Sequence, residues 1–565
     1  MSLIRRSLAC TAATLLAFAL PLQAQEIGGG WTTSYDIFGA AGDRLGSSIA
    51  VVGDTNGDGF DDILIGSETA RANGAPSGGT VSLYSGANGS ELFHFESMNN
   101  NALFGHSVCG LGDVNADGSP DFAIASMNAS NGTPFSGSVY VYSGATGLEL
   151  YRFDGASSFL GLGSVVSEIG DLDGDGHADI MASSEIGNTG SGTIYTWSGA
   201  TGSLLFSIDG PQSSAMFGAT LATAGDVNGD QVPDIAVGAY TEDGAGLSSA
   251  GAVYIFSGAN NAILHHLSGT LRHEHFGQSV DGVGDLDMDG CDDFIVGAPG
   301  MGPVFDLDFG AATVYSGSNG QVLMHFDGDA PLTQLGSGVA GIEDFDGDGI
   351  QDFAIGSAIA SPMNLAQAGS VAIYSGASGT LLYTFAGETP YDHLGNVMDS
   401  GDINGDGRAD LVFASSDADP NWQLNSGAAY VRGGFDAYLS ASESVLSSSI
   451  GGTVLFSIDF PADAAGSRYQ LLASTHSTAS HFHGVDIPLL AEGPVWNRMH
   501  NNPPPAFTNA TGVLDFDGDA LCTLTATPNI FTNLVDKSVL FVVMAQDDST
   551  LFRYSSAAVT LKIVQ

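Results

Sequence analysis

Short apolar runs divided by glycine-rich turns dominate the chain. Val139-Tyr140-Val141-Tyr142, closed by Ser143-Gly144, has the composition and length of a strand rather than a helix. Such runs come in groups of four, each about 4 to 6 residues long. The second run of a group is wholly apolar, as in Ile63-Leu64-Ile65, Phe122-Ala123-Ile124, Ile235-Ala236-Val237 and Phe294-Ile295-Val296. The third alternates and ends in Ser-Gly; the fourth closes the group, as in Leu382-Tyr383-Thr384-Phe385. Nothing within a group carries a 3.6-residue apolar period long enough for a helix.

The group recurs. An Asp-rich phrase begins at Asp54, Asp113, Asp171, Asp226, Asp285, Asp344 and Asp402, at intervals of 59, 58, 55, 59, 59 and 58 residues. Before each phrase stands Leu or Phe followed by Gly: Leu45-Gly46, Phe104-Gly105, Leu162-Gly163, Phe217-Gly218, Phe276-Gly277, Leu335-Gly336 and Leu394-Gly395. One four-stranded unit cannot bury both of its faces. Seven units around an axis can, which predicts an all-β, seven-bladed propeller of four-stranded blades. Unit seven changes character after Tyr430-Val431-Arg432-Gly433-Gly434, before its fourth run. Tyr35-Asp36-Ile37-Phe38-Gly39 lies orphaned ahead of unit one and aligns with Leu382 to Ala386. An N-terminal strand completing the last blade would remove an exposed sheet edge.

The phrases compare directly with one another. Position 1 is always Asp. Position 3 is Asn56, Asn115, Asp173, Asn228, Asp287, Asp346 or Asn404; position 5 is Asp58, Asp117, Asp175, Asp230, Asp289, Asp348 or Asp406. Position 9 is Asp62, Asp121, Asp179, Asp234, Asp293, Asp352 or Asp410, whereas position 7 varies freely: Phe60, Ser119, His177, Val232, Cys291, Ile350, Arg408. Ca²⁺ takes about 6 to 8 oxygens. Side chains at 1, 3, 5 and 9 supply them if the loop coils, and a backbone carbonyl suits the variable position 7. Hard oxygen donors favour Ca²⁺ over zinc or copper, for up to seven ions. Apolar or small residues at position 12 (Ile65, Ile124, Val237) and flanking strands exclude an EF-hand. Loops three, five and six offer four carboxylates and should bind more tightly. Loop four has Gln231 where the others have Gly at position 6, and its turn should be strained.

These units resemble FG-GAP repeats, as in the integrin α-subunit propeller. Phe104-Gly105 and Phe276-Gly277 supply the FG, and Gly297-Ala298-Pro299 the GAP. The resemblance implies seven blades with Ca²⁺ between strands one and two of a blade. In integrins only some blades carry metal; the pattern in all seven here is closer to bacterial members. No inserted metal-dependent adhesion domain interrupts the repeats, so integrin-style ligand binding does not carry over.

Composition sharpens the functional reading. With 63 acidic and 13 basic residues, net charge −50, the chain is excluded from tracking nucleic acid or an anionic membrane. Arg5-Arg6, the apolar run Leu8–Leu20 and Leu22-Gln23-Ala24 read as a secretory signal over 1–24. No later run is long enough to span a bilayer. Three cysteines in the mature chain form no disulfide framework. The propeller is expected over 31–435 and a small β-sandwich-like domain over 436–565. There, Asp515 to Asp519 reads as a hairpin turn, and His476, His481, His483 and His500 as surface histidines. No catalytic constellation is found: His273-Glu274-His275 lacks the helical spacing of a zinc protease. The expectation is a non-enzymatic, secreted or cell-surface adhesion module with an extracellular protein or glycan ligand. A Ca²⁺-dependent lyase-like propeller and a structural surface-layer component are the alternatives.

Overall fold

A computed structural model describes the chain from Ile27 to Val564, except 188–189, 245, 302–307, 347, 363–364, 406–408 and 421–422 within the repeats. Beyond Ala437 it describes the strands alone, and side chains are described within 35–432. The leader, Asp406, Arg408, His476, His483, His500 and 515–518 lie outside the described residues.

The repeats form seven antiparallel four-stranded sheets arranged as a propeller. Blade one comprises Ser48–Val51, Ile63–Ser67, Thr80–Tyr84 and Glu91–Glu96. Burial explains the composition of each strand. The second strand lies between neighbouring blades and is buried on both faces, as at Ile63–Ser67 and Asp121–Ser126, so it reads as a continuous apolar run. The outermost strand, such as Leu204–Asp209, is half exposed. There is no single core. Apolar clusters lie at each junction between blades: Leu64 and Leu83 pack with Phe104 and Phe122 between blades one and two, and Ile235 and Val237 with Met181 and Ile194 between three and four. Equivalent clusters fill the other five junctions. In five of the seven pairs, the Leu or Phe before the glycine spans a junction in backbone too. Leu162 bridges Gly137, Phe276 bridges Gly251 and Leu394 bridges Gly369, each the glycine just before the third strand of the preceding blade.

Ile27–Phe38 is the fourth strand of blade seven, antiparallel to Ala428–Ala437. Arg432 Nη1 donates to Asp36 Oδ1 across this seam at 2.8 Å. The register is one residue away from the sequence alignment. Tyr35 faces Val431 as Tyr383 faces Ile373, so Tyr35–Gly39 matches Tyr383–Gly387. The shift puts Tyr35 and Ile37 into the apolar junction with blade one; the alternative would have turned them outward. Ile27 and Gly28 continue past the blade and pair in parallel with Ser555 and Ser556. The strands beyond the propeller include Gly452–Asp459, Arg468–Ser474, Lys537–Gln546 and Val559–Val564.

The innermost strands line a central channel, where a cavity of about 670 Å³ is bounded by Val51, Cys109, Glu168, Thr223 and Asp399. Two aspartates there cap N–H groups of the next blade's inner strand. Val51 N–H donates to Asp399 Oδ2 at 2.8 Å and Gly341 N–H to Asp281 Oδ2 at 3.0 Å. Burial pushes the Asp281 carboxyl up to about 7 and Asp399 up to about 6. A raised carboxyl binds protons in the folded state that the unfolded chain has released, so its cost grows as pH rises above about 4. Asp281→Asn, which keeps an oxygen acceptor for Gly341, should raise the melting temperature by a few degrees at pH 8. The gain should shrink as pH falls toward 4; a gain independent of pH would contradict this account.

Candidate metal centre

The Asp-rich phrases sit at one end of the ring, between the first and second strand of each blade. Their shape comes from carboxylates answering backbone donors. In loop one, Asp54 Oδ1 accepts N–H from Gly57 (2.7 Å) and Asp58 (3.1 Å), and its Oδ2 accepts from Gly59 (2.8 Å). The same fan recurs on Asp171, with donors Gly174, Asp175 and Gly176. This coil needs left-handed residues at positions 4 and 6. Position 6 has φ from +88° to +93° at Gly59, Gly118, Gly176, Gly290 and Gly349. Loop four keeps the turn with Gln231 at φ +69°, the strain expected from its sequence. Position 4 is also left-handed, at Ala116 (φ +58°) and Met288 (φ +58°), which the sequence reading did not anticipate. Position 7 is tied by its own N–H to the position 5 carboxylate, as in Phe60 to Asp58 and Ile350 to Asp348. Its side chain is therefore free to vary.

Position 9 is the anchor. Asp62, Asp121, Asp179, Asp234, Asp293, Asp352 and Asp410 are wholly buried. Asp121 Oδ2 accepts from Val114 N–H (3.0 Å) and Asn115 N–H (3.2 Å) within the loop, while Oδ1 accepts from Gly144 N–H at 3.0 Å. Gly144 belongs to the Ser-Gly that ends the third strand. The corresponding bonds are Gly199 to Asp179, Gly258 to Asp234, Gly317 to Asp293 and Gly376 to Asp352. A Cβ on Gly144 would lie 1.9 Å from the Pro120 carbonyl oxygen, so only glycine brings that N–H to the carboxylate. The Ser-Gly recurrence was the signal for this contact.

Two kinds of loop emerge. Where position 3 is Asn, its amide donates to the position 9 carboxylate: Asn56 to Asp62, Asn115 to Asp121, Asn228 to Asp234 and Asn404 to Asp410, all with contacts of 3.0 to 3.2 Å. Where it is Asp, that donor is replaced by a further charge. Asp171, Asp173 and Asp179 then bring ligand oxygens within 4.8 Å of one another, as do Asp285, Asp287 and Asp289, and Asp344, Asp346 and Asp348. These are loops three, five and six. Burial pushes Asp352 up to about 8 and Asp346 up to about 7, with repulsion inside loop six adding to both. Burial likewise raises Asp121, Asp234 and Asp293 to about 6. Hard oxygens converging at unfavourable charge density fit a divalent cation of the Ca²⁺ type. Loop four fits least well: besides its strained turn, the buried Ser257 Oγ has no partner, whereas Ser143 Oγ donates to Asp117 at 3.1 Å.

Position 8 was overlooked in the sequence because it varies. Asp61 N–H donates to the Asp402 carbonyl at 3.1 Å, and Asp402 N–H returns to Asp61 Oδ2 at 3.0 Å. Asp292 makes the same reciprocal pair with Asp226, at 3.0 and 2.7 Å. Position 8 of one loop thus grips position 1 of the loop on the preceding blade. Cys109 and Cys291 are free thiols, each partly buried.

Comparison with known proteins agrees with this architecture. The FG-GAP repeat family matches residues 45–84 and 104–142, and the FG-GAP-like repeat family matches 171–237. Integrin alpha-4 of Xenopus laevis is 32% identical over 181 residues, 30% of this chain and 17% of the relative. Integrin alpha-V of Gallus gallus is 32% identical over 222 residues, 36% of this chain and 21% of the relative. Integrin alpha-M of Mus musculus is 46% identical over 92 residues, 15% and 8% respectively. The ring is an integrin α-like FG-GAP propeller. The chain thus spans about a fifth or less of the length of these relatives. Among the described residues, no helix is long and apolar enough to cross a membrane.

Two outcomes follow for the propeller. Calorimetric titration with Ca²⁺ should resolve a tighter class at loops three, five and six, and Gln231→Gly should strengthen loop four; a single class unaffected by Gln231→Gly would contradict the geometry. In chelator, raised carboxyls make the folded state the stronger proton binder. The melting temperature of the metal-free ring should therefore climb as pH falls from about 8 to about 5.5. Ca²⁺, which holds the carboxylates ionised, should lose its stabilising effect over the same range.

Proposed function

We propose that the propeller is a Ca²⁺-rigidified recognition module, secreted or held at a cell surface, that uses the end of the ring opposite the metal loops. In this reading a leader is removed near Ala24, residues 31–435 form the recognition unit, and 436–565 are an accessory module. Ca²⁺ fills up to seven loops through positions 1, 3, 5 and 9 and the carbonyl of position 7. Because it binds the folded ring and not the unfolded chain, it stabilises by mass action.

The observation that carries the proposal is the contrast between the two ends. Connections between blades, and turns between second and third strands, emerge at the far end. There the chain holds large apolar side chains in water on left-handed backbone: Phe159 (φ +61°), Leu332 (φ +60°), Tyr391 (φ +69°) and Phe135 (φ +50°) are all exposed. Phe135 and Phe159 stack at 5.5 Å between centroids. A left-handed non-glycine residue costs about 1–2 kcal/mol, and aromatics left this exposed recover little of it by burial. A repeated strained turn whose side chain differs from blade to blade supports display rather than packing. The likeness to integrin α chains supports an adhesion role, with an extracellular protein or glycan as the ligand.

An array of glycans and matrix proteins, probed with Ca²⁺ and with chelator, tests this. Binding should appear with Ca²⁺, vanish in chelator and fall at least tenfold in Phe135→Ala/Phe159→Ala while melting stays unchanged. Turnover of a pectic polymer would favour the lyase-like alternative instead.

A further inference from the structure

We propose that Asp292 is a positioning residue through which the metal in loop five sets the geometry of loop four, so that the two loops fill as a coupled pair. The inference rests on the reading that these loops take Ca²⁺, and concerns how occupancy passes between blades.

Asp292 lies between Cys291 and Asp293, positions 7 and 9 of loop five. Its N–H donates to the Asp226 carbonyl and its Oδ2 accepts the Asp226 N–H. Asp226 is position 1 of loop four, and its carboxylate receives the N–H groups of Asp230 (2.9 Å) and Gln231 (2.7 Å) that coil that loop. A single residue, hydrogen-bonded to Asp226 and one peptide bond from each of Cys291 and Asp293, therefore links the shaping centre of loop four to the ligand positions of loop five. An ion in loop five holds the chain on both sides of Asp292, and Asp292 then holds Asp226. Loop four has most to gain, since it carries the strain at Gln231 and the orphaned Ser257 hydroxyl. Linkage makes the effect reciprocal.

The junctions are not equivalent. Asp61 and Asp402 repeat the paired bonds between loops one and seven. Between loops one and two and between three and four, position 8 is Pro120 or Pro233, which has no N–H to give and only packs on Gly53 or Gly170. Coupling is thus built into particular pairs rather than spread evenly around the ring.

The test uses the full chain carrying Val232→Trp, which places a sensitiser for Tb³⁺ luminescence at position 7 of loop four. Disabling loop five with Asp287→Asn/Asp289→Asn should weaken Tb³⁺ at loop four about tenfold, within the usual range of site coupling. Asp292→Ala should do the same while calorimetry shows the tight sites intact. Asp292→Asn, which retains an oxygen acceptor for the Asp226 N–H, should recover most of the affinity. A merely structural role would lower melting equally with and without metal; the positioning role predicts a larger loss with Ca²⁺ than in chelator. Hydrogen exchange at the Asp226 and Gln231 amides gives a readout without the tryptophan: Ca²⁺ should protect them in the unsubstituted chain and much less in Asp292→Ala. Loop-four affinity and protection indifferent both to loop five and to Asp292 would overturn the coupling alone. A chain that binds neither Tb³⁺ nor Ca²⁺ would overturn the metal reading, and the coupling with it.

Discussion

Each rim loop buries a carboxylate, and that carboxylate must be answered. At position 9 an aspartate with no exposed surface sits where the second strand begins. Leaving such a group unpaired would cost more than most single contacts return. The repeat supplies donors from three directions: the loop's own backbone, the Ser-Gly turn of the third strand and, in the Asn loops, the position 3 amide. One buried charge thereby fixes the relation of first, second and third strands. That triple duty alone accounts for an invariant aspartate at position 9.

The ring holds together by a second device that is apolar. Each junction between blades is its own small core, so no blade is stable without a neighbour. Stacked aromatics reinforce it, as between Phe153 and Trp197 at 4.4 Å and 12°. Reciprocal bonds at position 8 add a polar seam at the end of the Asp-rich loops for selected pairs. Apolar packing is thus uniform around the ring, whereas the polar seams are particular to certain blades.

How much of this was legible in the sequence depended on repetition. Seven copies separate what is invariant from what drifts, so the blades and the recurring loop between first and second strands could be read. The closing strand exists in one copy, and a short apolar stretch fixes its register poorly; the structure moves it by one residue, onto the face where Tyr35 and Ile37 pack. Position 8 looked irrelevant because it varies among Asp, Pro, Ala and Gln, yet the variation itself distinguishes kinds of junction. The Asn amide at position 3 was read as one more oxygen ligand, while its nitrogen end proves to hold the position 9 carboxylate. Asp281 and Asp399 went unremarked because each interrupts an apolar inner strand only once, and their role depends on a neighbour far away in sequence.

The seam that closes the ring joins segments far apart in the chain. Asp36 and Arg432 stand 396 residues apart, so the seam joins one segment to another made hundreds of residues after it. Without Ile27–Phe38 the seventh blade would have three strands and would leave the outer edge of Ala428–Ala437 uncovered. Joining so distant a pair carries a loop-entropy cost that grows only slowly with length. The seam is therefore a clasp, and mechanical tension on the segment leading into Ile27 would load first the short pairing with Ser555 and Ser556 and then that clasp.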